Sequence, residues 1–223
     1  MITVIANTVG ECWQKCVEDV LRHGQRHHDE NVGIYEVLGL CVEIVNPSSE
    51  DEFIASIGDR KVIEKMLKKF SKGVVMEDRP FTYGQLIYNM NGIDQFNWML
   101  RRLRNKPETK SATISLMPPG LDDLNLPCLI TLDAKIRNGM LHLQFFFRSQ
   151  NVFGRQYANL LALASLHERL ALESGYSIGS MKGYIASAHI YEYDLADARE
   201  LVETQSIQIT DQYYIQGPAS VRI

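Results

Sequence analysis

The sequence lacks the features that define several large classes of protein. No apolar run approaches the ~18 residues that a membrane-spanning helix requires. The first 20 residues include Glu11, Lys15 and Asp19, where a secretory signal peptide would have an apolar centre. Basic residues are not in excess, because 23 Lys and Arg stand against 27 Asp and Glu. These absences predict a cytoplasmic protein with no membrane partner and no nucleic acid bound by general phosphate neutralisation.

Cysteine is scarce, with four residues scattered over 223 positions. This pattern predicts free thiols rather than a disulfide framework. Cys12 and Cys16 lie one helical turn apart, but they share an apolar pattern with Trp13, which favours core packing over metal binding. The stretch 27–29 reads His-His-Asp without further ligands nearby, and no glycine-rich phosphate loop occurs. We therefore expect no metal.

The composition is that of an ordinary globular protein, with 45% hydrophobic and 22% charged residues. Area scaling gives roughly 10,000 Å² of folded surface against about 37,000 Å² for the extended chain, which fits a single domain over residues 1–223. Helical and strand patterns are intermingled, and this predicts an α/β (α+β) fold, a mixed β-sheet flanked by helices. The predicted helices are 8–24, 62–70, 93–103, 159–173 and 194–203. The predicted strands are 34–45, 112–116, 128–136, 140–147 and 181–191. Residues 26–33 are predicted to form a polar loop.

The clearest local signal is a β-hairpin through Asn138-Gly139. If Arg137 and Met140 close the turn, paired residue numbers sum to 277, and every inward pair from Ile136–Leu141 to Ile130–Phe147 is apolar. The same register sets Cys128 opposite Ser149, with Arg148 beside it. A neighbouring cation favours the thiolate, which is the nucleophilic form of cysteine. The hairpin therefore predicts a reactive Cys128 unless a bulge changes the pairing.

Four segments occur in an informative order and spacing. They are Asn125-Leu126-Pro127-Cys128, then 147–153 (Phe-Arg-Ser-Gln-Asn-Val-Phe), then Asn159-Leu160-Leu161, and then Ala188-His189-Ile190-Tyr191. This set, with Tyr83-Gly84 upstream, resembles the thymidylate synthase family, which includes the pyrimidine nucleotide hydroxymethylases. The resemblance covers residues 81–195 well, and the short length resembles the compact archaeal branch.

The resemblance implies a methyltransferase of nucleotide biosynthesis that forms dTMP from dUMP. Cys128 would be the catalytic nucleophile, adding to C6 of the uracil ring. The one-carbon donor would be a reduced pterin, either methylene-tetrahydrofolate or a tetrahydromethanopterin-type carrier. A homodimer is implied by the family, and a monomer is left open because Lys110 and Ser111 stand where the family has two arginines that reach the partner's site.

The resemblance also assigns substrate contacts. Arg148 and Ser149 would hold the nucleotide phosphate, and His189 and Tyr191 the ribose hydroxyl. Asn159 would pair with the uracil edge, since an amide complements N3–H and O4 whereas a carboxylate suits cytosine better. The two remaining site residues are Tyr83, matching the family's active-site tyrosine, and Asn151, in the pterin-contacting position.

Several positions depart from the family pattern. Leu129 replaces the histidine after the nucleophile, Phe147 replaces the glutamine before Arg148, and Asn151 replaces an aspartate. Arg26 lies near the phosphate-loop arginine position without matching it. The family's catalytic glutamate has no clear counterpart, with Glu36, Glu43 and Glu52 as candidates.

Other interpretations of the same residues stay open. Cys128 taken alone fits a buried structural thiol, Arg148 a surface ion pair, Asn159 a helix N-cap, and His189 a core histidine. Two alternative functions also stay open. One is a pyrimidine nucleotide hydroxymethylase, in which water captures the intermediate. The other is a non-catalytic nucleotide-binding paralogue.

Overall fold

The structure is a computed structural model that describes residues 2–118, 120 and 126–203. Its described strands form one mixed sheet with the order β1-β3-β8-β6-β5-β4, while β2 extends along β3 and β7 pairs with β8. The pairs β1–β3, β6–β8 and β7–β8 are parallel, and the others are antiparallel. The strands are β1 (Ile2–Ala6), β2 (Gln25–Asp29), β3 (Val32–Ile44), β4 (Thr113–Ser115), β5 (Leu129–Arg137), β6 (Met140–Phe147), β7 (Gln150–Asn151) and β8 (Ser177–Tyr191).

One long helix, α6 (Gln156–Ser174), organises the layer that packs on this sheet. It contacts β6 and β8 below and α1, α3 and α5 around it. Its residues are apolar on nearly every side, as expected of an enclosed helix. The other helices are α1 (Val9–His23), α2 (Glu52–Ile57), α3 (Arg60–Phe70), α4 (Tyr83–Tyr88) and α5 (Gln95–Asn105), followed after β8 by a 3₁₀ turn (Glu192–Asp194) and α7 (195–203). The predicted fold class, a mixed sheet flanked by helices, is confirmed.

The β5–β6 hairpin has the predicted turn and, over most of its length, the predicted register. Asn138 and Gly139 both have positive φ, and Ile136–Leu141 through Leu132–Phe145 pair as expected. A bulge between Leu129 and Thr131 then shifts the pairing, so that Leu129 rather than Ile130 lies opposite Phe147. The bulge turns the buried Leu129 inward. Its consequence is that Cys128 lies opposite Arg148 and not Ser149.

Other local predictions need correction. In the segment predicted as a polar loop, residues 26–29 belong to the strand β2, whose side chains are exposed, and residues 32–33 begin β3. β2 forms an antiparallel edge hairpin with β3, and the backbone pairing of an edge strand does not require an apolar face. The predicted helix at 194–203 is confirmed as α7 with a 3₁₀ turn before it. Asn125 of the first motif lies outside the described residues.

The N-terminus of α4 sits directly against the end of α3. A methyl group on Gly84 would lie 2.0 Å from the backbone oxygen of Ser71, so the two helices approach this closely only because residue 84 lacks a side chain. The neighbouring Tyr83 is thereby held against Phe70, with ring centroids 4.7 Å apart. Backbone proximity at Gly84 thus sets the position of a predicted site residue.

The substitution Gly84→Ala is expected to lower the free energy of unfolding by about 1–3 kcal/mol, because the new methyl group meets backbone atoms that cannot rotate away. Urea denaturation followed by circular dichroism measures the change. The exposed Lys68→Ala on α3 is the control and should stay within ~0.5 kcal/mol of wild type. Equal stability of Gly84→Ala and wild type would contradict the close approach.

Candidate active site

A cavity of about 780 Å³ opens where β5, β6, β7 and β8 reach the helical layer. Its volume falls in the range of small-molecule sites. All eight site residues that the sequence predicts line this one cavity: Tyr83, Cys128, Arg148, Ser149, Asn151, Asn159, His189 and Tyr191. They come from five separate segments, so the fold brings together residues that are up to 108 positions apart in the chain.

Cys128 and Arg148 are adjacent across the hairpin. The Arg148 amide donates to the Cys128 carbonyl at 2.9 Å. The Arg148 guanidinium donates to the carbonyls of Pro127 (3.0 Å) and Leu126 (2.9 Å), and so it braces the segment that carries the thiol. Cys128 is half-buried and lines the cavity, and none of the four cysteines forms a disulfide. The placement fits a reactive thiol better than a structural one.

Short β7 connects the hairpin to the rest of the site. Its parallel pairing with β8 sets Asn151 beside His189, and the Val152 amide donates to the His189 carbonyl at 2.9 Å. Asn151 accepts the Gly154 amide at 2.8 Å through its side-chain oxygen, which closes the turn into α6. This turn is what places the first residues of α6 at the cavity.

Asn159 lies inside α6, three residues after Gln156, and is not its N-cap; the cap position is Arg155. Only 6% of Asn159 is exposed, and its amide nitrogen is 3.4 Å from the side-chain oxygen of Gln150. Its side-chain oxygen has no hydrogen-bond partner within the described part of the chain. A buried amide oxygen without a partner at a cavity wall is available to a ligand.

His189 and Tyr191 occupy one face of β8. Their rings pack edge-to-face at 5.2 Å, and Tyr191 donates its hydroxyl to Asp29 at 3.0 Å. Burial and the hydrogen bond to Asp29 raise the pKa of Tyr191 to about 12, so the phenol stays protonated. Burial lowers the pKa of His189, which keeps the imidazole neutral at pH 7, and its Nδ1 has no partner among the described residues.

Tyr83 supports the chain immediately after Cys128. Its hydroxyl oxygen accepts the Leu129 amide at 3.2 Å, and the ring is 4% exposed. Burial raises the pKa of Tyr83 well above its ordinary value, and the nearby Cys128 acts in the same direction. The tyrosine therefore remains a neutral hydroxyl that holds the backbone next to Cys128.

The cavity also contains charged residues that the sequence motifs do not reveal. Besides Arg148, its cations are Lys65, Lys69, Arg79 and Arg155, and its carboxylates are Asp29 and Glu30. Burial, with Arg79 and Arg155 nearby, lowers the pKa of Lys69 to about 8. Lys65 and Lys69 share one face of α3 at an i, i+4 spacing, which is the only sequence signal that could have indicated them.

The glutamate candidates do not reach the cavity. Glu36 accepts a hydrogen bond from Ser187, Glu43 pairs with Lys182 at 2.7 Å, and Glu52 begins α2. Lys110 and Ser111 also lie elsewhere, and the Ser111 hydroxyl is bound to Arg102. Apart from Arg148, the positive charge of the cavity thus comes from residues other than those that the family pattern indicates.

The described residues contain neither a metal-binding cluster nor a membrane-spanning helix. No group of three or more His, Cys, Asp or Glu side chains there is arranged to hold a metal ion. None of the helices in that part of the chain has the length and apolar character needed to cross a membrane.

Comparisons with known proteins agree with the geometry. The family model described as thymidylate synthase matches residues 51–212. A protein of Methanothermobacter thermautotrophicus named "Putative thymidylate synthase" is 31% identical over 218 residues, covering 90% of this chain and 98% of its own. A protein of the same name from Methanococcoides burtonii is 31% identical, covering 89% and 93%.

A more distant relative is the deoxyuridylate hydroxymethyltransferase of Bacillus phage SP01, which is 30% identical over 107 residues, or 45% of this chain and 28% of its own. The family model spans more than half of the chain, and the archaeal relatives match it almost from end to end. The chain belongs to the thymidylate synthase family.

Proposed function

We propose that this protein converts dUMP to dTMP through a covalent Cys128 intermediate, with a reduced pterin as the one-carbon donor. The observation that carries the proposal is a pair of unpartnered polar atoms, Asn159 Oδ1 and His189 Nδ1, on two buried residues that line the cavity with Cys128. Buried polar groups are nearly always satisfied, so a polar ligand is the natural partner. Uracil and ribose supply the matching donors.

Cys128 begins the reaction by adding to C6 of the uracil ring. The sulfur–C6 bond forms, the C5=C6 electrons move toward C5 and O4, and C5 becomes nucleophilic. The pterin would supply a methylene group, whose bond to the pterin nitrogen breaks as C5 loses its proton, and then a hydride for that carbon. Expulsion of the Cys128 thiolate from C6 as the hydride adds restores the C5=C6 bond and the enzyme.

The other residues hold the nucleotide in register. Arg148 and Ser149 bind the phosphate, and Asn159 accepts N3–H while its amide group donates to O4. His189 and Tyr191 contact the ribose hydroxyl; because Tyr191 donates to Asp29, it is left to accept. The cationic excess of the cavity favours a dianionic phosphate, and this argues against a paralogue that has lost its phosphate site.

The donor is a folate-type or methanopterin-type carrier. Asn151 lies in the cavity, but its amide already accepts the Gly154 amide and donates to Asp194. It therefore contributes mainly by shaping the turn, with its remaining oxygen lone pair available to a pterin. Because the Asn151 amide is neutral, it does not require a positively charged atom on the pterin, and either carrier can bind.

Incubation with dUMP tritiated at C5 and each carrier should release tritium and form dTMP with at least one of them. The Cys128→Ala variant should release none, because the carbon–sulfur bond cannot form. Product mass spectrometry gives the outcome, and Cys41→Ala, which alters a cysteine outside the cavity, serves as the matched control with near wild-type release.

Two results would redirect the assignment. A product heavier by a hydroxymethyl group would identify a hydroxymethylase, the activity named for the phage relative, in which water rather than hydride reaches the intermediate. Absence of tritium release with every carrier, at retained dUMP binding, would identify a nucleotide-binding paralogue.

The Asn159→Asp variant should lose about tenfold or more in kcat/KM for dUMP, because a carboxylate repels O4 and leaves it unpaired. Reaction at C5 of dCMP should rise, since the 4-amino group can donate to the carboxylate. Steady-state kinetics with both nucleotides measures the change in preference.

The exposed Asn46→Asp is the control for the added negative charge and should keep the wild-type preference. An unchanged ratio of dUMP to dCMP in Asn159→Asp would show that this amide does not contact the base.

A homodimer that uses the sheet face opposite the helices is the proposed assembly. Tyr184 on this face is 40% exposed, stacks on Phe146 at 5.7 Å between ring centroids, and lies next to Cys41 in register. An exposed aromatic on the open side of a sheet is suited to sheet-on-sheet packing with a second copy.

Light scattering should give about twice the chain mass of 25.4 kDa for the wild type. The Tyr184→Lys variant should shift toward the monomer, because it introduces a charge into the proposed interface. Leu172→Lys, at an 81% exposed position on α6, should remain dimeric. A monomeric wild type at micromolar concentration would rule out this assembly.

A further inference from the structure

Lys69 has no part in the steps described above, although it lines the same cavity as Cys128. It lies in the last turn of α3 and is half-buried. Its Nζ lies 4.5 Å from the centroid of the Tyr83 ring. The Tyr83 hydroxyl in turn accepts the amide of Leu129, the residue after the nucleophile. Lysine, tyrosine and cysteine thus form one wall of the site.

Lys69 differs from Lys65, one helical turn before it, and from Lys72, three residues after it. Lys65 is paired with Asp78 at 3.2 Å and Lys72 with Asp94 at 3.0 Å. Within the described residues, Lys69 forms no salt bridge, and its ammonium rests on an aromatic face. An ammonium that is partly removed from water and lacks a carboxylate partner attracts any anion that forms beside it.

Two of the three cavity arginines, Arg148 and Arg79, already have hydrogen-bonding or ionic partners. Arg148 commits its Nε and Nη2 donors to the backbone carbonyls before Cys128. Arg79 pairs with Asp78. Arg155, the third, precedes α6 and lies in electrostatic range of Tyr193 and Asp194. Lys69 is the cavity cation that rests on Tyr83.

We propose that the Lys69 ammonium is the counter-cation of the Cys128 thiolate, a positioning residue that acts through the sulfur. The inference rests on the nucleophilic role proposed for Cys128 and adds a residue that no motif indicates. In the ionisation step the S–H bond breaks, the electron pair stays on sulfur, and the proton passes to water while Lys69 keeps its own protons. When sulfur bonds to C6, its negative charge moves onto the pyrimidine.

The charges around Lys69 define the pH range of this effect. Burial has the largest influence and, with Arg79 and Arg155, lowers its pKa to about 8, whereas Cys128 and Asp78 oppose the shift. The neighbouring Tyr83 stays neutral. Lys65, one turn earlier on the same face, is held by Asp78. Lys69 is consequently a cation below about pH 8 and loses its charge above it.

Alkylation of Cys128 by iodoacetamide, read by peptide mass spectrometry, tests the role without any nucleotide. At about pH 7, Lys69→Met should react about tenfold more slowly than wild type, and Lys69→Arg should react at a similar rate to wild type. At about pH 9.5 the difference between Lys69→Met and wild type should vanish, because the thiol then ionises without help. The adjacent, exposed Lys68→Met is the matched control and should behave as wild type.

A purely structural role would slow Lys69→Met equally at every pH, and that outcome would overturn the proposal. If circular dichroism shows that Lys69→Met does not fold, the alkylation rate of Lys69→Arg tests the proposal by itself. Between about pH 8 and pH 9 it should react faster than wild type, because a guanidinium keeps the charge that the amine loses. A wild-type profile for Lys69→Arg across that range would count against the counter-cation.

The alkylation result and the proposed function can fail separately. If the alkylation rate of Cys128 does not depend on Lys69 but tritium is still released, the role of Lys69 is refuted and the proposed reaction of dUMP is retained. Absent tritium release with the Lys69 dependence intact would leave a reactive thiol whose substrate is not dUMP.

Discussion

The site depends on the backbone pairing between the end of β6 and the start of β5. The amide of Arg148 donates to the carbonyl of Cys128, and this bond exists because a bulge at the base of the hairpin absorbs one residue. Without the bulge, the apolar alternation would pair Ile130 with Phe147 and carry Cys128 past Arg148. The bulge keeps Leu129 in the core and sets the thiol at the rim, beside the guanidinium that braces its loop. β-Bulges commonly redirect side chains next to functional sites.

A second constraint, the short parallel pairing of β7 with β8, completes the site. It joins the hairpin to the His189–Tyr191 face and turns the chain into α6, where Asn159 is buried. α6 is packed on most sides, so Asn159 is held by core packing rather than by a flexible loop. Polar groups positioned by a rigid scaffold lose little entropy when a ligand binds. This geometry suits the discrimination of one pyrimidine from another.

The electrostatics of the cavity combine a cationic rim with neutral hydrogen-bonding groups. His189 and Tyr191 both remain uncharged near pH 7, the first through burial and the second through burial and Asp29. The positive charge of the cavity lies on Arg148 and on residues of α3 and the loops. Two of these, Lys69 and Arg79, occupy a part of the chain that carries no recognisable motif. The short motifs that carry the family resemblance therefore predict cavity-lining residues such as Cys128 and Asn159 but not the charge around them.

Local periodicity and turn chemistry in the sequence determine most helices, the Asn138-Gly139 hairpin, the inward face of β5 and β6, and the ordered motifs that indicate the family. The periodicity and the turn depend on neighbours within a few residues, and the motifs depend on residue types in a fixed order. All of them can therefore be read from the chain alone. Tertiary structure decided the bulge at Leu129, the strand β2 with Asp29 at its end, and the position of α3, which brings Lys69 to the cavity that Cys128 lines. Each of these depends on packing between segments far apart in the chain, where the burial of one side chain, rather than local preference, selects the register.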